Sequence, residues 1–155
     1  MTAVELAVHA AVASVDDPEY PGISIVDLGL LETLDVTVDG TEATVAIGLI
    51  PTFSGCPALH IIASEVESAV AGLDAVDAVS VSWLSAPVWS VDRVSHDARS
   101  ILAQEFTVGI AIGPKPAPCP RCGSPTVEQS LFGPTRCRSV HRCTLCHETV
   151  EVMRS

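Results

Sequence analysis

Basic side chains are scarce over most of this chain: residues 1 to 113 hold only Arg93 and Arg99 against sixteen Asp and Glu, a balance of -14. Phosphate binding gains from releasing counterions where positive charge accumulates, so nucleic acid is not an expected partner. Long apolar runs are missing too, although 48% of the residues are hydrophobic. The longest stretches break at Asp, Ser or Gly, short of the roughly 20 residues that span a bilayer, so no membrane association is expected. No Gly-rich dinucleotide loop of reductase spacing occurs. Nor does Glu-x-x-His, the pair that di-iron carboxylate bundles project inward. Cysteine is rare as well, with Cys56 alone before residue 119. Nothing at the N-terminus reads as a signal peptide, so the expected address is cytoplasmic, with the thiols kept reduced.

Against that background the tail stands out. Cys119 with Cys122, and Cys143 with Cys146, form two Cys-x-x-Cys pairs. Two such knuckles brought together make the tetrahedral sulfur cage that zinc prefers. The apolar side chains after Pro120 are too few to offset the chain entropy of so short a segment, so zinc is expected to supply the deficit. Gly123 follows the second ligand, where the chain must turn sharply. This is the pattern of a zinc ribbon with a structural metal. Residues 114 to 155 carry six basic and three acidic side chains, a balance of +3. Pro114, Pro116, Pro118 and Pro120 alternate at the change of sign, as in a stiff extended linker. The expected organisation is 1–113, a Pro-rich linker 114–118, and a ribbon 119–155. Arg121, Arg136, Arg138 and Arg142 are expected to balance the negative charge of zinc held by four thiolates. Cys137 is a further thiol: a residue packed beside the zinc, a substitute ligand, or a second functional cysteine. His141 and His147 flank the second knuckle, but two complete pairs need no imidazole.

Periodicity in the first part gives a two-layer α+β unit of order αββαβα. Thr2 to about Val15 is an amphipathic helix opened by a Thr2/Glu5 capping box. Leu30–Val38 and Thr41–Ile50 alternate on either side of Asp39-Gly40, a strong hairpin signal. A helix over about 58–72, a strand over about 78–84 and a helix from near Ser95 complete the order. Two loops carry more chemistry than their length requires. One holds Asp17, Glu19 and Asp27 among prolines; by spacing it also reads as a helix stop and turn. The other, around Cys56-Pro57, places a lone thiol as the cap residue of the second helix, near the free backbone N–H groups that lower a thiol pKa; an inert buried cysteine is the alternative.

The stretch Asp17-Pro-Glu-Tyr-Pro-Gly-Ile-Ser-Ile-Val-Asp-Leu-Gly29 with Pro51-Thr-Phe-Ser-Gly-Cys-Pro-Ala58 resembles the SufT-like iron-sulfur assembly domain. Pro87-Val-Trp-Ser-Val-Asp92, Asp97-Ala-Arg99 and the five-cysteine tail are similar to the D-subunit family of bacterial phenylacetyl-CoA epoxidases, also called the J-subunit family of phenylacetate-CoA oxygenases. The resemblance implies a non-catalytic accessory of an aromatic ring-epoxidising system in phenylacetate degradation. It implies that Cys56, with Asp17, Glu19 and Asp27, transiently receives iron or an iron-sulfur cluster for the reductase or di-iron oxygenase component. One cysteine cannot fill four ligand positions, so a homodimer or a partner's ligands would complete the site. The alternative is a zinc-ribbon scaffold within the multicomponent oxygenase that handles no iron.

Overall fold

The computed structural model describes residues 1–135 and 137–154. Arg136, one of the arginines singled out above, lies outside them. The chain divides into two compact units, Met1–Val88 and Trp89–Ser155.

The first unit runs α1 (Ala3–Ala13), β1 (Leu31–Asp39), β2 (Glu42–Leu49), α2 (Ala58–Ala71) and β3 (Ala78–Trp83). The capping box forms as expected: Thr2 Oγ1 accepts from the Glu5 N–H, and the Glu5 carboxylate accepts from the Thr2 N–H. In the hairpin, Asp39 faces Glu42 across Gly40-Thr41, and Gly40 takes φ 64°, which favours glycine. Strand β2 is central, antiparallel to β1 and parallel to β3. A parallel pair needs a crossover, and α2 provides it. Alternation then sorts the side chains. Ala43, Val45, Ile47 and Leu49 of β2 are buried, as are Val8 and Val12 of α1 and Ile62, Val66 and Val70 of α2. The other face of the sheet presents short side chains such as Thr44, Ala46, Ser80 and Ser82 to solvent.

Gly48 belongs to that second face yet is buried, because Thr33 and Leu84 close over it. A Cβ there would overlap Thr33 Oγ1 and lie 2.7 Å from Leu84 Cδ1. Gly48→Ala should therefore destabilise the first unit by about 1–3 kcal/mol, the usual cost of overpacking. A lower denaturant midpoint with an unchanged slope is the expected readout.

The second unit holds a 3-10 turn (Val91–Arg93), α3 (His96–Glu105), β4 (Val108–Ile110), β5 (Thr126–Ser130), β6 (Arg138–Cys143) and β7 (Thr149–Met153). Its sheet has the order β4-β7-β6-β5, with β4 parallel to β7. Ser95 caps α3, accepting from the Ala98 N–H at 3.1 Å. The element order αββαβ then α is the expected one, but α3 groups with the ribbon, and the division falls before the alternating prolines. The reason is packing. A ribbon with few apolar side chains recruits a helix and an edge strand, so that Leu102, Val108 and Ile110 are buried along with Val150 and Val152. Nor is the end of the proline stretch a free linker: Ala117 is buried, its carbonyl accepts from the Thr126 N–H and Oγ1, and Pro118 bridges to Pro125.

Candidate functional site

Both knuckles are built the same way. Cys119 N–H donates to Ser124 O at 2.8 Å and Cys143 N–H to Glu148 O at 2.9 Å, so each begins on a closed turn. The residue after the second cysteine takes positive φ in both, Gly123 at 78° and His147 at 61°. The register of β5, β6 and β7 brings the turns together, and the four Sγ atoms of Cys119, Cys122, Cys143 and Cys146 lie within 4.8 Å of one another. Cys119–Cys146 and Cys122–Cys143 are 3.8 and 3.4 Å apart. Thiolates about 2.3 Å from a tetrahedral zinc would sit about 3.8 Å apart, so the donor set fits that ion. Backbone N–H groups of Leu145 and Cys146 point at Cys143 Sγ, each at 3.4 Å, and would share its negative charge.

Without a metal the thiols compete for protons. The Ser124 backbone and hydroxyl, with the Cys143 thiol, hold Cys122 down at about 6. For Cys143, burial pulls upward, yet the N–H donors of Cys146 and Leu145 keep it below the ordinary thiol range. Cys146 is pushed up to about 12: a backbone donor at Glu148 opposes the rise, but burial and the neighbouring Cys143, Cys119 and Cys122 thiols prevail. The cage thus mixes thiols and thiolates, and a divalent cation would displace the remaining protons.

His147 carries a backbone conformation that L residues avoid, at the position where the first knuckle has glycine. His147→Gly should relieve up to about 1 kcal/mol and slow metal loss to a chelator. A release rate that rises would contradict this.

His141 is not a ligand. Its Nδ1 lies 3.0 Å from Thr126 Oγ1 and its Nε2 lies 2.9 Å from Ser139 Oγ. The Thr126 hydroxyl donates to Ala117 O at 2.8 Å, so Nδ1 carries a proton toward Thr126; the Ser139 hydroxyl beside Nε2 also reaches Val152 O at 3.3 Å. Burial keeps this imidazole below its ordinary pKa, against the upward pull of Glu128. His9, His60 and His96 are exposed.

Cys137 sits before β6, at the opposite end of that strand from Cys143, with its Sγ 3.2 Å from Thr135 Oγ1. The cage therefore has no use for it as a packed neighbour or substitute ligand. Arg138, expected to balance the cage, instead pairs with Glu151 at the same far end of β6.

In the first unit, register answers a question the sequence leaves open. Leu31 pairs with Leu49, and Ile50 N–H donates to Leu30 O at 2.8 Å. The loop before β1 and the loop after β2 therefore leave the sheet at the same end. The chain after β3 joins them, with Leu84 N–H donating to Leu49 O at 2.7 Å. This is the C-terminal end of the parallel β2–β3 pair, the end at which α/β units bind ligands. The first loop is firmly held: Tyr20, Ile23, Ile25, Leu28 and Leu30 are buried. Its carboxylates shape it, with Asp17 Oδ1 accepting from Glu19 N–H at 2.8 Å and Asp16 Oδ2 from Gly22 N–H at 2.9 Å. Asp27 N–H donates to Ser24 Oγ at 3.1 Å.

Cys56 is half-buried at the foot of α2. The cap residue is Pro57, in helical conformation, and it makes no side-chain capping bond. Proline's fixed φ suits the entry turn, which displaces Cys56 by one position from its expected place. The Cys56 carbonyl accepts from Leu59 N–H at 3.3 Å. Among the described residues, the four-cysteine cage is the only group of three or more Cys, His, Asp or Glu whose ligand atoms converge. Cys56 shares an end of the sheet with Asp17, Glu19 and Asp27 but does not form such a cluster with them. Sequence reasoning missed the anchoring of the first loop by Tyr20 and Ile23, although the alternation of prolines with Tyr and Ile was a signal for it.

Residues 5–83 match the family model described as iron-sulfur cluster assembly protein, and residues 105–154 match the PaaD zinc beta ribbon domain. A protein of Escherichia coli (strain K12) named as the D-subunit of 1,2-phenylacetyl-CoA epoxidase is 30% identical over 95% of this chain and 90% of its own length. The Fe-S protein maturation auxiliary factor YitW of Bacillus subtilis (strain 168) is 36% identical over 61% of this chain and 89% of its own. A solved structure from Bacillus anthracis, titled as a domain of unknown function DUF59, superposes with a TM-score of 0.58 at 33% identity. It covers 66% of this chain and 94% of its own. No helix among the described residues is long and apolar enough to cross a membrane.

Proposed function

Because this chain belongs to the D-subunit family of phenylacetyl-CoA epoxidases, an iron-sulfur assembly domain followed by a PaaD zinc ribbon, we propose that it is an accessory of a ring-epoxidising oxygenase system. On this reading it carries iron or an iron-sulfur cluster to the reductase or the di-iron component. The observation that the Asp17–Asp27 and Cys56 loops leave the sheet at the same end, the C-terminal end of the β2–β3 pair, carries the proposal. The names of the relatives, one an epoxidase subunit and one an Fe-S protein maturation auxiliary factor, support this reading.

The chemistry is one of weak holding. Cys56 supplies one thiolate, and the uncapped N-terminus of α2 offers backbone N–H groups to an anionic cluster. Asp17, Glu19 and Asp27 at the same end add hard oxygen donors that suit iron. One thiolate leaves most ligand positions open, so a second copy of the chain or the client itself completes the set. Incomplete ligation favours release to a client. Cys119, Cys122, Cys143 and Cys146 would hold zinc, which supplies structural cross-linking with all four positions closed and no open site for chemistry.

Transfer is the test. Protein loaded with iron and sulfide without oxygen, then mixed with the metal-free reductase or di-iron component, should restore that component's iron content. Cys56→Ser should reduce the transfer at least tenfold without loss of zinc. Equal transfer by both proteins would refute the assignment.

A second reading, a zinc-ribbon scaffold that handles no iron, is favoured by a different observation. Leu131 and Phe132, at the β5–β6 turn, are 50% and 71% exposed. Ser130 pins Phe132 through two hydrogen bonds, and Arg154 lies over the ring, 5.5 Å from its centroid. An ordered exposed aromatic beside an arginine is the usual make-up of a contact hot spot.

A further inference from the structure

A cavity of about 380 Å³ opens within the second unit between α3, β4 and the first knuckle. Its size falls at the lower end of the range for small-molecule sites, roughly 300–1,000 Å³. Ile110, Ile112, Pro118 and Pro120 give it apolar walls, and Arg99 is the cationic side chain that lines it. Strand β4 is the edge of its sheet, so no strand lies along its outer side. Gly109 fixes one wall: a Cβ there would come within 3.0 Å of Pro118 O, so β4 and the knuckle are already in close contact. Ile112 remains 42% exposed, an apolar surface that an occupant would cover.

Arg99 is held in place by main-chain carbonyls. Its Nε donates to Val94 O at 3.0 Å, and its Nη2 reaches Val91 O and Asp92 O at 3.5 and 3.3 Å. Among the described residues these are its hydrogen bonds, and none uses Nη1 or ends on a carboxylate. A guanidinium already oriented by three carbonyls loses little freedom on binding an anion, and its two Nη1 N–H groups are left to donate to a carboxylate oxygen.

We propose that this cavity binds a small apolar monocarboxylate, its carboxylate on Arg99 and its hydrocarbon part against Ile110, Ile112 and the prolines. The site is independent of the Cys56 loop and does not rest on the metal-carrier reading. Cys119 forms part of the cavity wall, so occupancy of the cavity and of the metal cage should influence each other reciprocally.

The test uses the full, zinc-loaded chain and nuclear magnetic resonance titrations with phenylacetate, hexanoate and the uncharged phenylacetamide. Both carboxylates should saturate with Kd on the order of 1 mM, moving the amides of Gly109, Ile110 and Ile112. Phenylacetamide should bind at least tenfold more weakly. Arg99→Lys should weaken the carboxylates about tenfold and leave the amide unchanged. Ala103→Phe, which fills the cavity from α3 without disturbing the carbonyl contacts, should weaken the carboxylates at least tenfold while zinc content stays constant. Equal binding of acid and amide, shifts centred elsewhere, or no saturation by about 20 mM would each overturn the proposal.

Discussion

Removing the metal should abolish the ordered ribbon. Cys143→Ala, or a strong chelator, is expected to erase amide protection in β5, β6 and β7, while the β1–β2–β3 sheet keeps its protection. Cys143 is 1% exposed and packs in a small core with Ala117, Cys119, Val150 and Val152. Two of those five residues are cage thiols, so the metal site and the core are one structure. Structural zinc contributes about 10–16 kcal/mol in comparable small domains, far more than five small side chains can replace. The first unit has its own core on β2, α1 and α2 and should not follow. Cys122→Ala, at an exposed corner of the same cage, should have a smaller effect on the core but should still weaken zinc by orders of magnitude. Retention of ribbon protection in the chelated protein would show that α3 and β4 suffice to hold it.

The second large effect is expected at Cys56. Cys56→Ser keeps the size of a half-buried side chain and removes the thiolate, so stability should change by less than about 1 kcal/mol. Activity of the complete epoxidase system assembled with this variant should nevertheless fall at least tenfold, with iron missing from the client. The scaffold reading expects the opposite pattern. Cys56→Ser would then be silent, and Phe132→Ala would abolish assembly by removing an exposed ring of the contact surface. Measuring both variants for activity and for client iron separates the readings, because a scaffold defect leaves client iron unchanged.

Much of this was legible in the residues, and for identifiable reasons. The Cys-x-x-Cys pairs, the Thr2/Glu5 box, Gly40 in the hairpin turn and Ser95 as a cap are local signals whose geometry depends on a few neighbouring atoms. What failed was non-local. The prolines around residue 116 looked like a boundary, but β4 pairs with β7 across some forty residues, and no local pattern announces that pairing. The charge of Arg138 suits the cage, but charge can be counted from a sequence and strand register cannot; register puts Arg138 opposite Met153 and beside Glu151. The offset of Cys56 from the cap had a subtler cause, since proline is compatible with both the cap and the first helical position. The meeting of the two loops depended on Leu31 pairing with Leu49, one position off the register that the Asp-Gly turn sets, because the ladder shifts between Leu31 and Thr33.

The central claim, a structural zinc in the ribbon and a separate transient site at Cys56, is tested most directly by metal content. Zinc, iron and labile sulfide should be measured per chain on protein purified without oxygen, in parallel with Cys56→Ala. The account expects one zinc in both proteins, with iron or labile sulfide in the parent alone. Iron retained by Cys56→Ala, or lost together with zinc when Cys143 is replaced, would contradict it by placing the iron in the cage.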